Sequence, residues 1–254
     1  MTIAEAFEDN FAELLAWYGS FGGETVRAGD HWRSHSGVPF RALNAVTAIR
    51  LAGDDAIAAA TGWFTERAMP WRWLLHPSSR PADLAERLLA AGLTLYSDNP
   101  AMAMSLAGFE MVPLPHGVSI ERVTDEAALR RWHQVNVPAM DLDPARDEAW
   151  WTAHRRPGFA DDAPLVNYVA SRDGEPVSVA ALFDGAGVAG IYNVATVPSA
   201  RGRGIGRAVT AAAMAEGARR GLRVAALGAS PLGYPVYRRL GFEEYGRLRS
   251  FGPG

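Results

Sequence analysis

Three glycines at alternate positions, Gly202, Gly204 and Gly206, are interleaved with three cations, Arg201, Arg203 and Arg207. Glycine lets a ligand approach the backbone without meeting a side chain, and guanidinium groups add charge-assisted hydrogen bonds to anionic oxygens. The chemistry this suits is the binding of a phosphate-bearing ligand. Spacing excludes two familiar phosphate loops. A P-loop needs Gly-Lys-Ser/Thr, and a dinucleotide fingerprint needs its third glycine where Arg207 stands. What remains is Arg-x-x-Gly-x-Gly.

The flanking residues say what must hold this loop. Ile191, Val194, Thr196 and Val197 suit a pleated, half-buried strand, and Pro198 ends its ladder. From Ile205 an Ala-rich run without a breaker continues to Arg219-Arg220, and Gly221 stands where a helix wants a left-handed cap. The glycines therefore sit at a strand-to-helix junction, where unpaired N–H groups and the positive dipole end attract an anion.

The approach segment reads Asn193-Val194-x-Thr196-x-Pro198-x-x-Arg201-Gly202-x-Gly204-Ile205-Gly206. Downstream comes Ser230-x-x-Gly233-x-x-Val236-Tyr237-Arg238-Arg239-Leu240-Gly241-Phe242. Together and in order, these motifs resemble the GNAT superfamily of acetyl-CoA-dependent N-acetyltransferases. The resemblance implies that strands at 188–197 and 223–228 splay to admit the pantetheine arm. It implies that Val194, Ala195 and Thr196 pair with that arm through their backbones, and that Arg201, Gly202, Arg203, Gly204, Ile205, Gly206 and Arg207 hold the pyrophosphate. Ser230 takes the place of a frequent asparagine among the cofactor contacts, and Gly233 that of an alanine. Asn193 would face the acceptor substrate, and Tyr237 matches the tyrosine that hydrogen-bonds the thioester sulfur as general acid. The implied reaction is acetyl transfer to a primary amine by direct attack in a ternary complex. The alternative is a non-catalytic acyl-CoA-binding or sensing module.

No base is evident. Many relatives carry a Glu on the strand before the loop, where Tyr192 and Asn193 stand here. Asp141, Asp143, Glu148, His133 and His154 are the remaining candidates, beside a water relay or an amine that arrives neutral. The chain has no cysteine, which removes an acyl-cysteine route, disulfides and thiolate metal ligands. His31, His35 and His76 are too scattered for a metal, so none is expected. Every basic residue is arginine, so no lysine side chain of the protein can be acetylated.

The 254 residues carry a formal charge of −3, which argues against a general nucleic-acid binder. No apolar run reaches the length of a membrane span, and the first ten residues carry Glu5, Glu8 and Asp9 rather than a basic leader. A cytoplasmic protein is expected. Its partners would be a small-molecule or peptide amine, with no nucleic acid and no membrane, and a homodimer is compatible with this reading.

Apolar spacing predicts a helix over 2–18, strands over 24–33 and 40–51, a helix over 54–69, a strand over 71–75, a helix over 80–91 and a strand over 101–106. After the Pro-containing stretch 108–117, the second half predicts a strand at 118–122 and helices over 124–136 and 143–154. Strands at 166–172, 177–183 and 188–197, the loop helix and a strand at 223–227 follow, then a short helix at 233–240 and closing strands near 242–245 and 248–251. The order strand, strand, helix, strand, helix, strand recurs, and Leu88 to Leu93 echoes Tyr237 to Phe242. The expected fold class is α/β, an α+β mixed sheet in two GNAT-like halves, each mostly antiparallel and flanked by helices. Residues 1–110 would be a degenerate half without a CoA loop, since Gly53-Asp54-Asp55 offers one glycine and two acids to a pyrophosphate. Residues 116–254 would be the catalytic half. Trp63, Phe64, Trp71, Trp73, Trp150 and Trp151 are read as core or as the wall of an acceptor pocket.

Overall fold

The computed structural model describes residues 1–50, 53–139 and 147–254. It divides into two compact units: Met1–Ala101 with Glu244–Gly254, and Met102–Glu243. The division falls inside a strand, earlier than the Pro-containing stretch. The C-terminal segment groups with the first unit rather than the second, because its strand finds its antiparallel partner there.

Unit 1 opens with α1 (Ile3–Gly19). Its start is fixed by a capping box in which the Thr2 hydroxyl accepts from the Glu5 N–H and the Glu5 carboxylate accepts from the Thr2 N–H. Then come β1 (Glu24–Arg27), β2 (Trp32–His35), β3 (Ala45–Thr47), α2 (Asp55–Glu66), β4 (Arg72–Leu75), α3 (Leu84–Ala90) and the start of β5 (Thr94–Ser105). The expected strand over 24–33 is thus a hairpin, broken at the turn-forming Gly29-Asp30. The expected strand over 40–51 is a 3-10 turn at Arg41–Leu43 followed by the short β3. Buried Asn44 fixes that loop: its Oδ1 accepts from the Ser36 N–H, and its Nδ2 donates to Val38 O and Pro70 O. Strand order is β1-β2-β3-β4-β11-β5, where β11 is Glu243–Gly252. β1 with β2, β2 with β3 and β4 with β11 pair antiparallel, and β3 with β4, the two strands joined through α2, pair in parallel. Trp63, Phe64, Trp71 and Trp73 are all buried in this unit's core, with Phe64 and Trp71 stacked at 5.0 Å.

Unit 2 contains the end of β5, β6 (Val118–Arg122), α4 (Glu126–Ala139), α5 (Asp147–Arg155), β7 (Leu165–Arg172), β8 (Glu175–Gly185), β9 (Val188–Thr196), α6 (Ile205–Arg219), β10 (Val224–Gly228) and α7 (Tyr234–Leu240). Asp125 caps α4, its carboxylate accepting from the Ala128 N–H at 2.7 Å. The order is β5-β10-β9-β8-β7-β6, antiparallel from β6 to β9 and parallel between β9 and β10. Gly217 lets α6 come down on β9, for a Cβ there would lie 2.7 Å from Ala189 Cβ. The two units share one design, an antiparallel ladder that runs into a parallel pair bridged by a helix.

Candidate cofactor and active site

The parallel pair in unit 2 does not stay closed. β9 and β10 are paired at Ala189 with Ala225 and at Gly190 with Ala226, while β9 runs on to Thr196 and remains paired with β8 as far as Ser178. From Ile191 onward the edge of β9 that leaves β10 is open, which is the splay the resemblance implies. Within this stretch Val179 faces Ala195 but Ala181 faces Tyr192, so Asn193 and Val194 together oppose Ala180 in a bulge. Asn193 is left-handed there, at φ 52°.

A fully buried side chain braces the bulge. Asn136 of α4 donates from Nδ2 to Asn193 O at 3.4 Å and accepts from Trp150 Nε1 of α5 at 2.8 Å. Ser178, also fully buried, donates to Ala195 O at 2.8 Å, and its hydroxyl lies 2.7 Å from Thr196 Oγ1. Neither Asn136 nor Ser178 is marked by any motif. Each reads in sequence as one more polar residue of a helix or strand.

After Pro198–Ala200, a 3-10 turn, Arg201 folds back so that its Nε donates to Thr196 O at 3.0 Å. Arg201 is thus a staple of the loop as well as a cation of it. Gly202 and Gly204 follow at φ 74° and 77°, and Gly204 is the N-cap of α6. These values lie where any side chain would be strained, so the turn itself requires both glycines. The α6 start has no side-chain cap and no acid in its first turn, and Arg201, Gly202, Arg203, Gly204 and Arg207 are exposed. Uncapped N–H groups, a helix dipole and three guanidinium groups therefore converge on open solvent, a donor set that fits a pyrophosphate.

Tyr237 lies on the inner face of α7, only 6% exposed, edge-on to Phe242 at 5.9 Å. Burial pushes its phenol well above the ordinary value, so it stays protonated. Ser230 is exposed, and its Oγ accepts at 3.1 Å from the N–H of Gly233, the residue before α7. Gly233 has to be small, since a Cβ would stand 2.7 Å from the Tyr237 ring.

The candidate bases fare differently. His154 is buried, 4.7 Å from the Trp132 ring and 4.1 Å from Trp150, with Nδ1 2.9 Å from Trp150 O. Burial pushes its pKa down to about 4. It is a neutral core residue. His133 is half-buried, with Nε2 3.0 Å from Asp147 Oδ1, and burial lowers its pKa. The Glu148 carboxylate faces the Thr152 hydroxyl at 3.4 Å. Asp141 and Asp143 lie outside the described residues. Among the described residues no group of three or more His, Asp or Glu side chains could hold a metal, and no helix is long and apolar enough to cross a membrane.

Unit 1 has a matching strand end. β3 pairs in parallel with β4 at Ala45 and Val46, then passes through Ala48, which is left-handed at φ 52°. The next N–H, that of Ile49, donates to Glu8 Oε1 of α1 at 3.1 Å. Glu8 is fully buried and also accepts from Arg50 Nη1 at 2.6 Å, Ser78 Oγ at 2.6 Å and Ser79 Oγ at 2.7 Å. Burial opposes the charge of Glu8, but the neighbouring His76, with the Ser78, Arg50 and Ser79 bonds, holds its carboxyl below the usual range. The helix that follows begins Asp54-Asp55, and Asp54 pairs with Arg87 at 2.8 Å.

Residues 127–242 match the profile of the Acetyltransferase (GNAT) family. A curated relative, a mycothiol acetyltransferase of Streptomyces avermitilis, is 29% identical over 212 residues, which is 75% of this chain and 62% of that protein. The chain therefore spans less than two thirds of that relative's length. Among solved structures, a GCN5-related N-acetyltransferase from Kribbella flavida superposes with a TM-score of 0.77 at 22% identity, covering 100% of this chain and 96% of that one. A tandem GNAT protein of the clavulanic acid biosynthesis pathway does so with a TM-score of 0.58 at 15% identity, over 91% of this chain and 82% of that one. The profile match therefore lies within unit 2, and the fold of the chain is that of these GNAT structures, the tandem one included.

Proposed function

We propose that the protein is an acetyl-CoA-dependent N-acetyltransferase in which unit 2 binds the cofactor and transfers its acetyl group directly to a primary amine. The observation that carries this reading is the open edge of β9 leading into an uncapped, arginine-flanked helix start. Acetyl-CoA supplies an activated acetyl thioester and a pyrophosphate anchor. Gly202 to Gly206, with Arg203 and Arg207, hold the pyrophosphate through N–H groups and charge, while Arg201 keeps the loop closed on Thr196. Val194, Ala195 and Thr196 offer backbone groups to the pantetheine arm, Ser230 flanks it, and Asn193 faces the amine. Tyr237 donates a hydrogen bond towards the departing sulfur. An unperturbed thiol has a pKa of about 8.5, and burial has lifted Tyr237 above the phenol value, so full proton transfer to the thiolate is uphill. Tyr237 therefore acts as a hydrogen-bond donor to developing charge rather than as a donor of the whole proton.

Unit 1 binds no CoA, its loop being acidic and its strand end already bonded to Glu8. The amine substrate remains a choice among small molecules and peptides, and the name of the Streptomyces relative places the acceptor of mycothiol acetylation first among those to try. One observation favours the second reading, a non-catalytic acyl-CoA-binding module: His154 is sealed among indole rings and cannot take the amine's proton. Calorimetric titration with acetyl-CoA is expected to give one site per chain, and an amine panel followed by free-thiol release to give turnover. Two sites would overturn the division of labour, and binding without release for any amine would favour the second reading.

A further inference from the structure

We infer that Asn136, held by Trp150, is a positioning residue that sets the peptide plane between Asn193 and Val194 and so aims the Val194 N–H at an oxygen of the ligand. This rests on the reading of unit 2 as the cofactor-binding half. A trans peptide is planar, with C=O and N–H pointing to opposite sides. Asn136 draws Asn193 O towards α4, so the Val194 N–H is turned away from α4. At 3.4 Å the bond is long and contributes little energy. Its role is geometric, because Asn136 Oδ1 is in turn fixed at 2.8 Å by Trp150 Nε1, and both residues are at most 4% exposed.

Unit 1 supplies an independent instance of the same step. Ala48, at the φ of Asn193, is followed by an N–H that donates to a carboxylate oxygen of Glu8. A left-handed residue on this strand therefore presents the next N–H to an acceptor oxygen, and in unit 2 that acceptor comes with the ligand. The clamp is remote in sequence, since Asn136 and Asn193 are 57 positions apart.

The test compares Asn136→Leu and Trp150→Phe with Leu129→Ala, a fully buried residue of the same helix that has no part in the clamp. In the unliganded protein, amide hydrogen exchange over 192–197 is expected to speed up in Asn136→Leu, less so in Trp150→Phe, and to stay unchanged in Leu129→Ala although that variant melts lower. Acetyl-CoA Kd should rise about three- to tenfold and kcat fall in Asn136→Leu, with KM for the amine unmoved. Unchanged exchange in both clamp variants overturns the inference whether or not the protein acetylates an amine, and equal acceleration in Leu129→Ala overturns it as general loosening. Faster exchange with unchanged Kd and kcat overturns the link to the cofactor. Failure of the wild type to bind acetyl-CoA would instead overturn the proposed function and leave the exchange result to decide the clamp.

Discussion

The strand ends of β3 and β9 differ in who completes them. Both leave a parallel partner, pass through a left-handed residue and present the next N–H. In unit 1 the protein's own α1 sends in Glu8, and Arg50, Ser78 and Ser79 close around the carboxylate. In unit 2 the edge stays open, and the helix beyond it begins with glycines and arginines instead of two aspartates. A strand end without a ligand must still satisfy its buried donors from within the chain, since buried unpaired groups cost about 1–3 kcal/mol each. Filling the site from within is one solution.

The largest expected effect breaks the closed half. Glu8→Ala removes the acceptor of the Ile49 N–H and the Ser79 hydroxyl and the anionic partner of Arg50, while Ser78 and Arg50 keep their bonds to Ala4 O and Ile49 O, and should cost about 3–5 kcal/mol in denaturant unfolding. Glu8→Gln, which keeps an acceptor oxygen, should cost less, and acetate should restore part of the stability of Glu8→Ala by binding the folded state. A loss below about 1 kcal/mol would show that Glu8 does not complete the strand end.

Next, Gly204→Glu sets a negative charge in the open half, at the proposed pyrophosphate site. Acetyl-CoA affinity should fall about 10²- to 10³-fold. Gly204→Ala separates the two contributions, because it keeps the left-handed strain of about 1–2 kcal/mol without the charge. Equal acetyl-CoA affinity for the two variants would remove the electrostatic part of the argument. Tyr237→Phe should lower turnover about 10²-fold while leaving acetyl-CoA binding nearly intact. Single-turnover rates with a slow amine report this, and an unchanged rate would reduce Tyr237 to a packing residue.

The smallest effect at neutral pH sits in both halves at once. His76 in unit 1 and His154 in unit 2 are buried, and burial pushes the pKa of each down to about 4. The unfolded chain takes up these protons near pH 6.5 and the folded chain refuses them, so stability is full above about 6.5 and falls as pH drops towards 4. Melting temperatures from pH 7 to 4 should show this slope, and His76→Gln or His154→Gln should each flatten it. A slope that neither substitution alters would show that the two histidines do not cause it; Glu216, whose bonds to Arg219 and Arg220 hold its pKa at about 2, loses its contribution only below about 4.5.

What could be read in the sequence followed from how local each signal is. The loop glycines, the α6 run to Arg219 and the cap at Gly221 are contiguous, and the structure has them in place. Asn44, Asn136 and Glu8 work through partners far along the chain: Glu8 meets Ile49 across 41 positions, and a helix with Glu5, Glu8 and Asp9 reads as a solvated face. Trp63, Trp71 and Trp73 followed their spacing into the core. Asn193 stood in a motif, but its left-handed φ came from the bulge, which depends on register with β8.

The grouping of Glu244–Gly254 with unit 1 has a mechanical consequence. Met1 and Gly254 both belong to that unit, and unit 2 is an insertion between Ala101 and Glu244. A pulling force applied at Met1 and Gly254 is therefore carried by the pairing of β11 with β4 at Arg249, Ser250 and Phe251 before it reaches the loop of unit 2. Stretched from its termini, the chain should lose the closed half first, and the half with the open strand edge should keep its shape until the other has given way.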